Sequence, residues 1–241
     1  MAPQHIVKSF DEELKKLNDI IMKMGGLAET QLQQAMEALI KRHSDLATKV
    51  IANDDSIDEL EQEMSAMVIR ILALRQPMAQ DLREVITALK ISSDLERIGD
   101  YATNVAKRSI ALVQMPVVRS ATTTIAHLSQ LVQTIVKDVL DAYAYRNAEK
   151  AMQAWHRDEE VDALYTGIFR DLLTYMMEDP RNITPCTHLL FIAKNIERIG
   201  DHATNIAETI HFLVLGQAIE KNRPKADDTS FTIHQIQHEE T

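Results

Sequence analysis

Apolar residues recur at helical spacing from the start of the chain. Phe10, Leu14, Leu17, Ile21 and Met24 stand three or four residues apart, one stripe of an α-helix. Strong breakers are few, so they divide the remaining pattern into six long helices. The first is expected from about Ile6 to His43, with Gly25-Gly26 as a kink or loose turn inside it. The second starts at Ser44 as N-cap and runs to about Gln76, where Pro77 stops it, and the third runs from about Gln80 to Val113. A fourth spans Ser120 to Arg146, and a fifth, capped by Asn147, reaches Glu178 before Asp179-Pro180. The sixth begins with Thr184 at the N-cap and Pro185 at its first position, and ends at Leu215 with Gly216 placed to cap it.

The two halves repeat one another. Leu95-Glu96-Arg97-Ile98-Gly99-Asp100-Tyr101-Ala102-Thr103-Asn104-Val105-Ala106 matches Ile196-Glu197-Arg198-Ile199-Gly200-Asp201-His202-Ala203-Thr204-Asn205-Ile206-Ala207 at nine of twelve positions. The offset is 101 residues here and 104 upstream, where Asp54 and Asp58 correspond to Asp158 and Asp162; a three-residue deletion before the sixth helix reconciles the two. The expected fold is therefore all-α, two tandem three-helix bundles related by internal duplication and packed with pseudo-two-fold symmetry. Residues 1–115 form the first, 116–216 the second, and 217–241 a polar, mobile tail.

Composition agrees with long helices. Six Gly and six Pro in 241 residues fall below average usage of roughly 7% and 5%, and no Asn-Gly or Asp-Gly hairpin turn occurs. A formal charge of −10 argues against non-specific nucleic-acid binding, which needs clustered Lys and Arg. The single Cys186 excludes an internal disulfide. No signal-peptide pattern opens the chain, and no apolar run approaches the ~18 residues that span a bilayer, so a cytoplasmic protein that is not membrane-inserted is expected.

The duplicated segment carries the candidate chemistry. Glu96 and Asp100, like Glu197 and Asp201, stand four residues apart, so each pair shares one helix face. Seven-residue steps along that face read Leu82, Leu89, Glu96 and Ile183, Leu190, Glu197: an apolar stripe interrupted by carboxylates at the same level twice. Arg97 and Arg198 can pair with Asp100 and Asp201, but spacing leaves Glu96 without a local cation. An antiparallel turn near residue 78 places Asp100 level with Ser56, bracketed by Asp54 and Asp58. A turn near 182 places Asp201 level with Ala163, beside Asp162 and near Asp158. Asn104 and Asn205, one turn further on, add amide oxygens.

An all-oxygen donor set suits hard cations such as magnesium, manganese or iron, with zinc not excluded, and several carboxylates together favour a multinuclear site. A lone Glu-x-x-x-Asp is usually a solvated face. Its duplication on an apolar stripe shifts the balance to metal. Other features are weaker: Glu208-Thr-Ile-His211 has di-iron spacing but no counterpart in the first half, and His234 and His238 lie in the tail. Trp155, His156 and Tyr165 read as core aromatics, the eleven Met as core filler. Cys186 has no visible base, and no phosphate loop or dinucleotide fingerprint is present. Catalysis has little support.

The Glu-Arg-Ile-Gly-Asp-x-Ala-Thr-Asn dodecads, with Met24-Gly25-Gly26-Leu27 and the Arg75-Gln76-Pro77-x-x-x-Asp81-Leu82-Arg83 turn, resemble the PhoU family over about residues 5–216. The resemblance implies two three-helix bundles and metal clusters held through Glu96/Asp100 and Glu197/Asp201. It further implies a non-enzymatic negative regulator of phosphate signalling. Such a protein links the ATPase subunit of a phosphate ABC transporter to a sensor histidine kinase when phosphate is plentiful, as a cytoplasmic homodimer held at the inner membrane through its partners. Two other readings stand beside this one: a carboxylate-bridged metalloenzyme, oxidase or phosphohydrolase, and a scaffold whose carboxylates pair only with Arg97 and Arg198.

Overall fold

The computed structural model describes residues 3–219, with side chains from Phe10 onward. His234, His238 and all of the expected tail beyond residue 219 lie outside the described residues. Within them the chain forms eight α-helices and no strand: α1 Pro3–Lys41, α2 Ser44–Ala52, α3 Asp55–Arg75, α4 Ala79–Leu112, α5 Arg119–Ala144, α6 Ala148–His156, α7 Asp158–Glu178 and α8 Ile183–Leu215. The all-α class expected from periodicity holds.

Two of the six expected helices are divided. The second breaks at Asn53-Asp54 into α2 and α3, and the fifth breaks at Arg157 into α6 and α7. Neither break involves Gly or Pro. Each lies just before an acidic run, Asp55 and Asp58 in the first turn of α3, and Asp158, Glu159 and Glu160 in that of α7. Carboxylates are favoured at a helix N-terminus, where unpaired N–H groups and the dipole present positive charge. Asn and Asp side chains also compete with helical hydrogen bonding.

Helix ends depart from expectation in smaller ways. His43, not Ser44, caps α2, its Nδ1 accepting from Leu46 N at 3.0 Å. A 3₁₀ turn, Pro180–Asn182, precedes α8, which starts before Thr184 and Pro185. Asn147 caps α6 as expected, and Gly216, at φ 73°, closes α8.

The expected turn at Gly25-Gly26 does not form, and α1 runs through it. A Cβ at Gly25 would lie 2.5 Å from Leu140 Cδ2 of α5, so this glycine serves the close approach of two helices. Leu17, Ile21 and Met24 of the opening stripe are buried, and Phe10 and Leu14 pack against the core. Helices α4 and α8 pack together along their length. Their directions oppose one another: Asp94 meets His202, Arg108 lies over the ring of Phe191, and Arg83 lies beside Gly216. A second tie joins the halves where the Arg146 guanidinium pairs with Glu84 and the Tyr143 hydroxyl donates to Asn18.

Candidate metal centre

In the first half, Ile57 of α3 packs against Gly99 of α4, where a Cβ would come within 2.9 Å of Ile57 Cδ1. This contact sets the register: Asp54 and Asp58 flank Ile57, and Glu96 and Asp100 flank Gly99. The placement agrees with the sequence-based level of Ser56 against Asp100. Burial pushes the Glu96 and Asp58 carboxyls above the ordinary range, and neighbouring negative charge adds to it, Asp100 at Glu96 and Asp54 and Asp100 at Asp58. Glu61, not anticipated from the sequence, bears on both. It lies one helical turn beyond Asp58 on α3, a spacing that a search for i, i+3 acids would find.

Two cationic or polar groups serve this face. Arg97 donates from Nη1 to Asp100 Oδ2 at 3.1 Å, and its Nε lies 3.5 Å from Glu96 Oε2. The expectation that no local cation serves Glu96 is therefore corrected. A guanidinium on a flexible stem reaches back to an adjacent residue that helix-face geometry alone would place out of range. Gln31 of α1, also unanticipated, is buried and directs its amide to Asp54 Oδ1 at 3.5 Å.

In the second half, Gly200 of α8 packs against Val161 of α7, with a Cβ-to-Cγ1 separation of 3.2 Å. Asp201 is thus level with the residue before Val161 rather than with Ala163, because the 3₁₀ turn displaces the midpoint of the connection. Asp158 and Asp162 bracket that level and are both buried. Thr204 donates to Asp158 Oδ1 at 3.2 Å. Glu197 is only 5% exposed; Lys194 donates to its Oε1 at 2.9 Å, while Oε2 has no hydrogen-bond partner. Arg198 reaches Asp201 at 3.4 Å and Glu197 Oε2 at 3.9 Å. Burial pushes the Glu197 carboxyl up, with Lys194 opposing and Asp201 adding to the rise.

The two amides differ. Asn104 lies half-buried one turn beyond Asp100 on α4. Asn205 donates to Asp94 Oδ1 at 3.4 Å across the α4–α8 contact, beside His202 Nδ1 at 2.8 Å from the same oxygen.

In donor type these residues suit a hard cation: each half sets carboxylates on two facing helices, neighbouring negative charge adds to the rise at Asp58, Glu96 and Glu197, and the buried Oε2 of Glu197 accepts no hydrogen bond. Among the described residues, no three His, Cys, Asp or Glu side chains already converge on one point as a finished cation site.

The remaining candidates have structural partners. Glu208 accepts from the buried Trp155 indole at 2.9 Å, and His211 Nδ1 contacts the Gln217 carbonyl at 3.1 Å, so the Glu-x-x-His pair is engaged elsewhere. Cys186 is buried, and burial pushes its thiol up, the opposite of an activated nucleophile.

With this geometry in place, comparison with known proteins is specific. The model of the PhoU domain matches twice, over residues 21–109 and 125–210. The phosphate-specific transport system accessory protein PhoU homolog of Rhizobium meliloti (strain 1021) is 52% identical over 230 residues, 95% of this chain and 97% of that protein. Its namesake from Caulobacter vibrioides (strain NA1000 / CB15N) is 50% identical over 224 residues, 93% and 97% respectively. The crystal structure of PhoU from Pseudomonas aeruginosa superposes with a TM-score of 0.84 at 41% identity, covering 86% of this chain and all of that one. That of the phosphate transport system regulatory protein PhoU from Streptococcus pneumoniae gives 0.80 at 27%, covering 88% and 100%. These relatives are named for accessory and regulatory roles rather than for catalysis. Two domain matches, one on each half, and near-full-length identity place this chain in the PhoU family.

Proposed function

We propose that this chain is a non-catalytic regulator of phosphate uptake and phosphate signalling. It acts as an adaptor between the ATPase subunit of a phosphate ABC transporter and a sensor histidine kinase, and represses the phosphate-starvation response when phosphate is plentiful. The relatives' named roles in phosphate transport support the setting. The observation that carries the metal part of the reading is the pair of carboxylate faces, each built by one inter-helix register, Ile57 on Gly99 and Val161 on Gly200.

Glu96, Asp100, Asp54 and Asp58 would hold metal in the first half, and Glu197, Asp201, Asp158 and Asp162 in the second. A bound hard cation supplies the positive charge that relieves carboxylate repulsion across two helices and so fixes the surface those helices present. The residues themselves set that surface: Gln31 holds Asp54, Thr204 holds Asp158, and Arg97 and Arg198 hold the outer aspartates. No helix of the described residues is long and apolar enough to cross a membrane; the place we assign it, in the cytoplasm at the inner membrane, would be held through the transporter and the kinase.

The test is complementation. In a bacterium lacking its own accessory protein, the wild-type chain should silence a phosphate-starvation reporter in high phosphate and co-purify with the transporter ATPase and the kinase. A variant with Glu96, Asp100, Glu197 and Asp201 all changed to Ala should do so less well. A reporter that stays fully active with the wild-type chain present and folded would refute the regulatory reading. Light scattering of the same protein tests the homodimer.

A further inference from the structure

The two carboxylate faces are related by duplication but differ in sequence, and two of the differences bear on the motif glutamate. The residue three before the Glu of the motif is Ser93 in the first half and Lys194 in the second. The residue three after the second Asp of the preceding helix is Glu61 in the first half and Tyr165 in the second. The two differences act together. Lys194 lies with Nζ 2.9 Å from Glu197 Oε1 and 4.8 Å from the centroid of the Tyr165 ring, so the buried tyrosine seats the ammonium against the glutamate. In the first half neither member of this pair exists. Serine is too short to reach Glu96, and Glu61, accepting from Ser65 Oγ at 2.9 Å, adds a negative charge where the tyrosine would be.

Charge on the two faces follows. Asp54, Asp58, Glu61, Glu96 and Asp100 have Arg97 as the guanidinium at the face, and it is about half exposed. Asp158, Asp162, Glu197 and Asp201 have both Arg198 and the ammonium of Lys194, and Glu197 is far more buried than Glu96. A buried carboxylate without a counter-ion is costly, so the deeper glutamate is the one that carries a built-in cation.

We infer that the two faces are not equivalent toward metal: the first is the high-affinity site, and Lys194, seated on Tyr165, occupies the second as an internal cation that metal must displace. This rests on the metal reading above. Binding at the second face breaks the Lys194–Glu197 contact and leaves an ammonium beside the incoming charge, whereas binding at the first face displaces only the half-exposed Arg97 and relieves repulsion among the carboxylates.

The experiment is titration of the metal-free full-length protein with Mn²⁺, followed by calorimetry and by the electron paramagnetic resonance of the unbound ion, together with its melting temperature. Wild type should show a tight class of sites abolished by Glu96→Ala with Asp100→Ala, and a class at least tenfold weaker abolished by Glu197→Ala with Asp201→Ala. Lys194→Ser and the longer, uncharged Lys194→Gln should lower the metal-free melting temperature and tighten the second class about tenfold. Ser93→Lys should do the reverse at the first face, giving a variant testable even where a Lys194 substitution fails to fold. Two classes of equal affinity, unmoved by Lys194→Gln and Ser93→Lys, would overturn the inference and leave metal binding standing. A weaker second class in Lys194→Gln would overturn it too, since the lysine would then assist the metal. A wild-type protein that takes up no Mn²⁺ would overturn both.

Discussion

Gly25 of α1 lies against Leu140 of α5 so closely that a Cβ added to it would stand 2.5 Å from Cδ2 and 2.9 Å from Cδ1. Leu140 is itself nearly buried, so it has little room to retreat. A Cβ on its neighbour Gly26 would have nothing within 4 Å. Two adjacent glycines in one helix therefore respond to alanine with opposite signs. Gly25→Ala should destabilise the protein by about 1–2 kcal/mol, overpacking exceeding the gain in helix propensity. Gly26→Ala should stabilise it by about 0.5–1 kcal/mol. Thermal denaturation reads both, at about 2–4 °C per kcal/mol for a chain of this size.

Arg146 and Glu84 tie the two halves at a second place. Arg146 occupies a positive-φ position after α5, matched by Arg42 after α1, yet the two guanidinia serve different ends. Arg42 donates to the carbonyls of Leu112, Val113 and Met115, closing the end of α4, whereas Arg146 crosses to Glu84 and Asn18. Tyr143 is part of the same cluster, and burial pushes its hydroxyl up to about 12. Removing either charge leaves the other partly desolvated. Arg146→Ala should cost about 1.5–3 kcal/mol, and a double-mutant cycle with Glu84→Gln should return most of that as coupling.

A pH dependence follows from Glu13 and Arg75. The guanidinium meets the carboxylate through Nε at 2.9 Å and Nη2 at 3.1 Å, joining α1 to the end of α3, and holds the Glu13 carboxyl below its ordinary value. Because the folded value is the lower one, the unfolded chain binds more protons in the interval between them. The pair's stabilisation is thus complete above the ordinary glutamate range and is lost as pH falls through the folded value. Glu13→Gln should lower the melting temperature at neutral pH and converge on wild type in acid. Parallel curves across that range would contradict the assignment.

Carboxylate repulsion at the first face sets stability against binding. Asp58 is raised by burial and by Asp54, Asp100, Asp55 and Glu61, with no cation among its causes. Asp58→Asn should stabilise the metal-free protein by about 0.5–1 kcal/mol and weaken its uptake of metal, a trade common at functional sites. Melting with and without added Mn²⁺ separates the two effects.

How much of this was legible in the sequence depended on whether the feature is periodic or relational. Leu17, Ile21 and Met24 announce a helix face and are buried as expected. The duplicated dodecads likewise identify Gly99 and Gly200 as equivalent, and each meets the preceding helix at the same relative place. The breaks before Asp55 and Asp158 carry no Gly or Pro, and the acidic runs that follow them are their one helix-start signal in the sequence. At Gly25-Gly26 a kink or loose turn is the natural reading of the sequence, and only packing shows that Gly25 admits Leu140 within a continuous α1. Lys194, Gln31 and Glu61 cannot be found from one helix face in one half. Gln31 and Asp54 are 23 residues apart, and only packing brings them together.

The most direct measurement is elemental analysis of the full-length protein, purified without an affinity tag or added chelator, beside the variant with Glu96, Asp100, Glu197 and Asp201 changed to Ala. The account predicts more than one equivalent of iron, manganese, magnesium or zinc per chain in the wild type and its loss in a variant that remains folded by circular dichroism. Full metal content in that variant, or a wild-type protein that is folded and metal-free, would contradict it.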